Sequence, residues 1–293
     1  MGIMNNTNQQ MIVQQPIMAQ PIVYIPKFGN LQYTFTQDPL SEIALSVKAT
    51  IRQQPELMEI ITGCESENRY HVFITLPNGM EKYLFKCKEE STGCQRFCCT
   101  SEIREFNMKI KHIPNIMSFN APFETYFATL NKPFKCTCCC LARPSIKGEY
   151  WSNKQIFGEV KEEFTCCDPL FAISNGKEIK YYITIECCQC SFCCRNAKGC
   201  GKECGKINEV ECNIREGGIG GNVVGKIRKK IAQNYLELIS DADTYVIEFP
   251  VTASSEDKLT LIMAGLFIDY RYFETVGSGN YQSRRRGGSR RRH

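Results

Sequence analysis

The apolar positions change period along the chain. From Arg69 to Lys86, in RYHVFITLPNGMEKYLFK, residues Tyr70, Val72, Ile74 and Leu76 recur at every second position, with His71, Phe73 and Thr75 between them. Pro77-Asn78-Gly79 interrupts, and Tyr83 and Phe85 resume the alternation. A period of two predicts strands with one buried face, and the interruption predicts a β-hairpin. The theme recurs in NGKEIKYYITIE, where Ile179, Tyr181, Ile183 and Ile185 come after Asn175-Gly176, and again at Tyr245, Ile247, Phe249 and Val251.

Two stretches carry a helical period instead. Val224, Ile227, Ile231, Tyr235 and Leu238 predict one helix, with Lys226, Arg228, Lys229 and Lys230 mostly off its apolar line. The second is SSEDKLTLIMAGLFIDYRYFE. Ser254 and Asp257 make a capping-box-like start, and Leu259 to Ile268 are apolar on nearly all sides, including Leu261, Ile262, Met263, Leu266 and Phe267. Such a helix is buried in protein or in lipid. Ten residues make about 15 Å of helix, whereas a bilayer needs about 20 residues. Extension to Phe273 brings in Asp269 and Arg271. The length therefore favours a core helix threaded through β structure over a membrane span.

A faint duplication runs beneath this pattern. Asn78-Gly79, a strand, Cys98-Cys99 and FNMKI parallel Asn175-Gly176, a strand, Cys193-Cys194 and INEVECNI; FGEV at 157–160 resembles VGKI at 224–227. It fits a sheet or barrel of two similar halves.

Composition sharpens the picture at the ends. Residues 1–26 carry no charged side chain and are rich in Gln, Asn, Met and Pro. With little to bury, residues 1–56 read as a disordered arm. The net charge is +5, but Arg284, Arg285, Arg286, Arg290, Arg291 and Arg292 supply six positive charges, and five minus six leaves a body at −1. Nucleic acid is thus an expected partner only through an Arg-rich tail, residues 275–293. Residues 57–274 read as the folded domain.

All 19 cysteines lie between Cys64 and Cys212. The opening segment lacks a secretory pattern, the count is odd, and Cys98-Cys99 and Cys166-Cys167 are adjacent, which suits a disulfide framework poorly. Asn6 stands where a myristoylation motif has Ser or Thr. Cys187, Cys190, Cys193, Cys200 and Cys204 have spacings able to hold zinc in a thiolate site; small buried hydrophobes are the plainer alternative. Cys136, Cys138, Cys139 and Cys140 come after Lys132 and Lys135 and precede Arg143. A cytosolic thiol cluster beside basic residues is what S-palmitoylation uses.

Other chemistries fail on single positions. GGNVVGKI at 220–227 nearly matches a phosphate loop, but Ile227 replaces the hydroxyl that would bind magnesium. In residues 241–252, Asp241 and Asp243 occupy positions 1 and 3 of a twelve-residue calcium loop. Val246 and Thr252 replace its Gly and terminal Glu. Only three histidines are present, His71, His112 and His293, which leaves little for Cys–His nucleophilic chemistry.

Taken in order, ESENRYHVFITLPNGMEKYLF, CQRFCC, KPFKCTCCC, VGKIRKK, DADTYVIEFP and LIMAGLFIDYRYFE resemble the phospholipid scramblases over residues 57–274. The resemblance implies a mainly β fold, a twelve-stranded Tubby-like β-barrel enclosing the hydrophobic C-terminal helix. It implies bidirectional, ATP-independent and calcium-responsive lipid movement without covalent chemistry. It places acylation on Cys136, Cys138, Cys139 and Cys140, weak calcium binding on Asp241 and Asp243, and nuclear import on Lys226, Arg228, Lys229 and Lys230. The implied partners are membrane phospholipids, import receptors and further copies of the chain. The implied location is the cytoplasmic face of the plasma membrane, with a nuclear pool when not acylated. An alternative is a lipid-anchored binding or signalling module with no transport of its own.

Overall fold

Alternating strands with one apolar face must cover that face, and here they do so by closing on themselves. The computed structural model describes residues 38–54, 67–91, 104–113, 125–135, 142–189, 209–230 and 244–273. A short helix α1 (Pro39–Leu45) precedes β1 (Lys48–Gln53), β2 (Arg69–Thr75), β3 (Glu81–Glu90) and β4 (Phe106–His112). Then come β5 (Thr125–Lys132), β6 (Ser145–Tyr150), β7 (Ile156–Glu163) and β8 (Leu170–Ser174). β9 (Ile179–Ile185), β10 (Glu209–Glu216), β11 (Asn222–Lys230), β12 (Thr244–Glu248) and helix α2 (Ser255–Tyr272) complete the order. Each strand pairs antiparallel with its neighbours in sequence, and β12 pairs with β1 to close a barrel.

The expected hairpins are β2–β3 and β8–β9, with Gly79 in the first turn at φ 84°. They stand six strands apart in a ring of twelve, as do β4 and β10, which hold FNMKI and VECNI. That spacing suits the faint duplication. The parallel between FGEV and VGKI does not fit it, since those segments lie in β7 and β11, four strands apart.

Helix α2 fills the barrel. Ser254 Oγ accepts from Asp257 N at 3.2 Å while Ser254 N donates to Asp257 Oδ2 at 2.8 Å, closing a capping box. Every residue from Asp257 to Arg271 is buried. The fit is close: a Cβ built on Gly265 would lie 3.1 Å from Ile247 Cδ1 and Ile51 Cδ1, and one on Gly158 of β7 only 2.2 Å from Thr260 Oγ1. Burying each Leu, Ile or Phe contributes roughly 1.5–3 kcal/mol, so α2 serves as core and not as a surface offered to lipid. No helix among the described residues is long and apolar enough to cross a membrane.

Three expectations need correction. The barrel begins before residue 57, because β1 at Lys48–Gln53 pairs with both β2 and β12 and α1 precedes it. The helix expected from Val224 is a strand through Lys230. Its inward positions there include Ile227 and Lys229, so one of the residues that would show alternation is a lysine. The rest of that expected helix, from Ile231 to Leu238, lies outside the described residues. Finally, β12 ends at Glu248 and Val251 is fully exposed. Pro250 has no N–H to continue a ladder.

Candidate functional site

In an antiparallel ring every second connection leaves by the same end. The links β1–β2, β3–β4, β5–β6, β7–β8, β9–β10 and β11–β12 share one end, and in sequence they hold 17 of the 19 cysteines. The other two, Cys87 and Cys212, are buried within β3 and β10, and burial pushes both thiols up to about 12. Those two are inert as nucleophiles at neutral pH.

The last turn of α2, Asp269-Tyr270-Arg271-Tyr272-Phe273, ends at this cysteine-bearing end and is ringed by buried polar side chains. Asp269 accepts from Lys229 Nζ at 2.8 Å, Tyr70 OH at 2.8 Å and Tyr245 OH. The Lys229 ammonium lies 4.4 Å over both the Tyr245 and Phe273 rings. Glu162 accepts from Arg271 Nε and Tyr272 OH, each at 2.8 Å, and from Arg143. Burial and the Glu162 carboxylate raise the Tyr272 pKa, keeping the phenol protonated as a donor. Arg104 donates to Glu89 at 3.2 Å and to Tyr270 OH at 2.6 Å. Lys132 Nζ donates to the Arg104 carbonyl at 2.5 Å.

These groups stand where the cysteine-bearing links begin and end. Lys132 and Arg143 flank the segment holding Cys136, Cys138, Cys139 and Cys140, and both are tied into the collar around α2. Those four cysteines lie outside the described residues. Phe134, two positions before the first of them, is 56% exposed, and Phe164 on the neighbouring link is 49% exposed. Cys166, Cys167 and Cys188 are exposed. Hydrogen bonding to Asp168 and Cys188 pushes the half-buried Cys187 thiol up to about 12. Cys190, Cys193, Cys200 and Cys204 lie outside the described residues, and among the described ones no group of three His, Cys, Asp or Glu is placed to hold a metal.

The calcium segment divides. Asp241 and Asp243 lie outside the described residues, but the chain from Thr244 onward is strand β12. Tyr245, Ile247 and Phe249, at positions 5, 7 and 9 of the supposed loop, are buried in the barrel. Glu248 is held by Arg228 at 2.7 and 3.3 Å. This stretch does not fit a twelve-residue calcium loop.

The basic run also reads differently. On β11 Lys226 and Arg228 point outward to Glu211, at 2.7 and 3.2 Å, and Lys230 is exposed, whereas Lys229 is 1% exposed. The Lys226 hydrogen bond is the main force holding Glu211 below the usual carboxylate range, against its partial burial. The four side chains do not form one solvated basic face. The collar itself was not anticipated, although Asp269 and Arg271 in an apolar helix, and Lys229 in an apolar strand register, were its available signs.

Comparison with known proteins gives one consistent family. The family model described as Scramblase matches residues 33–275. Phospholipid scramblase 1 of Homo sapiens is 30% identical over 235 residues, 80% of this chain and 65% of the relative. Phospholipid scramblase 2 of Bos taurus is 27% identical over 263 residues, covering 89% of this chain and 77% of the relative. Phospholipid scramblase family member 5 of Homo sapiens is 26% identical over 272 residues, 92% and 85% respectively. The chain thus spans just under two thirds of the human scramblase 1 length.

Proposed function

The chain belongs to the scramblase family, and from that premise we propose that it moves phospholipids in both directions between membrane leaflets, without ATP and in response to calcium. The observation that carries this reading is the match over residues 33–275, which takes in the whole barrel and α2. The near-match to a phosphate loop adds no competing nucleotide site. A phosphate loop needs a helix after its glycines, and here residues 222–230 are strand.

The proposal assigns membrane attachment to palmitate on Cys136, Cys138, Cys139 and Cys140, at the cytoplasmic face of the plasma membrane. Each buried acyl CH₂ contributes about 0.8 kcal/mol, and two chains give stable anchoring. Exposed Phe134 beside this run suits a surface that meets lipid. With α2 enclosed, the helix lines no headgroup path. The barrel then acts from the membrane surface, by distorting the bilayer or by assembling with further copies. Asp241 and Asp243 remain the residues offered to calcium, at low affinity, since β12 withdraws the later positions.

The enclosed helix favours a second reading, an anchored binding module that moves no lipid. The burial of Lys229 speaks against import receptors reading the folded β11. Reconstituting the full chain in vesicles with labelled lipid, with and without calcium, separates the two. Lipid movement above that of protein-free vesicles is expected; its absence at every calcium concentration leaves the binding module.

A further inference from the structure

The outer wall of the barrel opposes like charges across its strands. On β3 and β4, Lys86 pairs in register with Lys111 and Lys88 with Lys109. β2 extends both rows, setting Arg69 opposite Lys88 and His71 opposite Lys86. Phe85, Cys87, Glu89, Met108 and Ile110 take the buried positions between them, so the basic side chains face outward. Like charges directly opposite on a sheet destabilise it. The Lys86 charge adds to burial in holding the His71 pKa down. Glu67 and Glu90 lie at the margin, 2.9 Å from Lys88 and 2.7 Å from Lys109.

An aromatic pair borders these rows. Tyr126 stands opposite Lys111 on β5 and stacks on Trp151, with ring centroids 4.6 Å apart. They are 43% and 38% exposed. Lys111 lies 5.0 Å over Tyr126, and Lys154 lies 4.2 Å over Trp151. Tyr and Trp rings with lysines around them suit the headgroup level of a bilayer, where one side is wet and the other apolar. A basic surface adds attraction to anionic lipid. Because the two rings stack on each other, they offer a poor platform for successive nucleic-acid bases.

We infer that the outward face of β2–β5, built on Lys86, Lys88, Lys109, Lys111, Tyr126 and Trp151, docks against the anionic surface of a phospholipid bilayer. It deepens the phospholipid reading above and rests on it for the partner's class. β5 carries Tyr126 near one end and runs at the other toward the Cys136–Cys140 segment, so the docking face and the acylated link share one wall of the barrel.

The test uses the full chain made without acylation and floated with vesicles. Wild type is expected to bind phosphatidylcholine vesicles containing phosphatidylserine, more weakly as salt rises, and to bind pure phosphatidylcholine poorly. The variant Lys86→Gln/Lys88→Gln/Lys109→Gln/Lys111→Gln is expected to lose at least about tenfold in partitioning while melting at or above the wild-type temperature. Lys147→Gln/Lys161→Gln, on β6 and β7, is expected to bind as wild type. Should the fourfold variant fail to fold, Lys86→Gln/Lys111→Gln gives the same reading. Equal binding to both vesicle types, undiminished binding by the lysine variant, or capture by single-stranded RNA in place of vesicles overturns the inference. Lysine-dependent binding by a protein that moves no lipid leaves the docking face standing and removes the scramblase reading. Lipid movement with lysine-independent binding does the reverse.

Discussion

Lys229 Nζ and Asp269 Oδ1 lie 2.8 Å apart inside the barrel, with side chains 1% and 3% exposed, and this pair ties β11 to the last turn of α2. Removing one member of a buried pair strands the other charge and costs about 3–5 kcal/mol. Lys229→Met is therefore expected to lower the urea midpoint by a third or more of a typical domain's margin of about 5–15 kcal/mol, and Lys229→Met/Asp269→Leu to recover part of the loss. A single variant as stable as wild type would show that Asp269 needs no cation. Nuclear-import assays that replace Lys229 will read this loss of fold together with any loss of signal.

The second expectation concerns Leu266, 2% exposed on α2. Leu266→Asp places a carboxylate without a partner among apolar side chains, which costs several kcal/mol against a total stability of about 5–15 kcal/mol. The domain is expected to lose its cooperative thermal transition and become insoluble. A soluble variant with a normal melting temperature would falsify the core role of the helix.

How much of the fold the sequence disclosed depends on how cleanly each face is apolar. β2 and β9 were legible because their buried positions carry Tyr, Val and Ile at a period of two, and α2 because an apolar run follows a capping box. β11 was not, because Lys229 occupies an inward position, where it pairs with Asp269, forty residues later, and lies over the Tyr245 and Phe273 rings. β6 hid for a related reason: its inward positions are Ile146 and Gly148, and Phe157 fills the space a Cβ on Gly148 would need. Of the collar, only Asp269, Arg271 and Lys229 showed as charges in apolar runs; their surroundings did not, since Lys132 and Glu162 meet α2 only through barrel closure and Glu89 reaches it through Arg104.

The third expectation is a pH effect at His112. The ring is 5% exposed, Nε2 has no hydrogen-bond partner among the described residues, and Phe85 packs edge-on at 6.3 Å. Burial lowers its pKa from 6.5, Lys82 lowers it further, and Asp38 opposes them. A depressed histidine pKa means that the unfolded chain binds the proton first as pH falls below 6.5. This group then costs stability progressively on the acid side and nothing above the unfolded pKa. His112→Phe is expected to be more stable at pH 7 by about 1 kcal/mol, through loss of the orphaned nitrogen, with its advantage growing toward pH 5. Parallel melting-temperature curves for the two proteins would contradict this.

The fourth concerns calcium. If Asp241 and Asp243 ligate it, few charges and no bidentate Glu place the dissociation constant at about 10⁻⁴–10⁻³ M. Titration calorimetry on wild type and on Asp241→Ala/Asp243→Ala checks this. Submicromolar binding, or equal binding by both proteins, is incompatible with the assignment.

The last expectation returns to Cys136, Cys138, Cys139 and Cys140. The link that holds them is tied at one side by Lys132, whose ammonium donates to the Arg104 carbonyl, and at the other by Arg143 on Glu162. Neither tie uses a thiol, so changing all four cysteines to Ala should leave the barrel's melting temperature unchanged. Loss of acyl chains should nevertheless move the protein out of membranes, because a basic face alone gives reversible, salt-sensitive attachment. Fractionation of cells expressing the four-Ala variant, with a salt wash, measures both contributions. Wild type should stay in the membrane fraction through the wash. The variant should leave largely without salt and completely with it. A variant that withstands the wash as wild type does would remove acylation of this run from the account of membrane attachment.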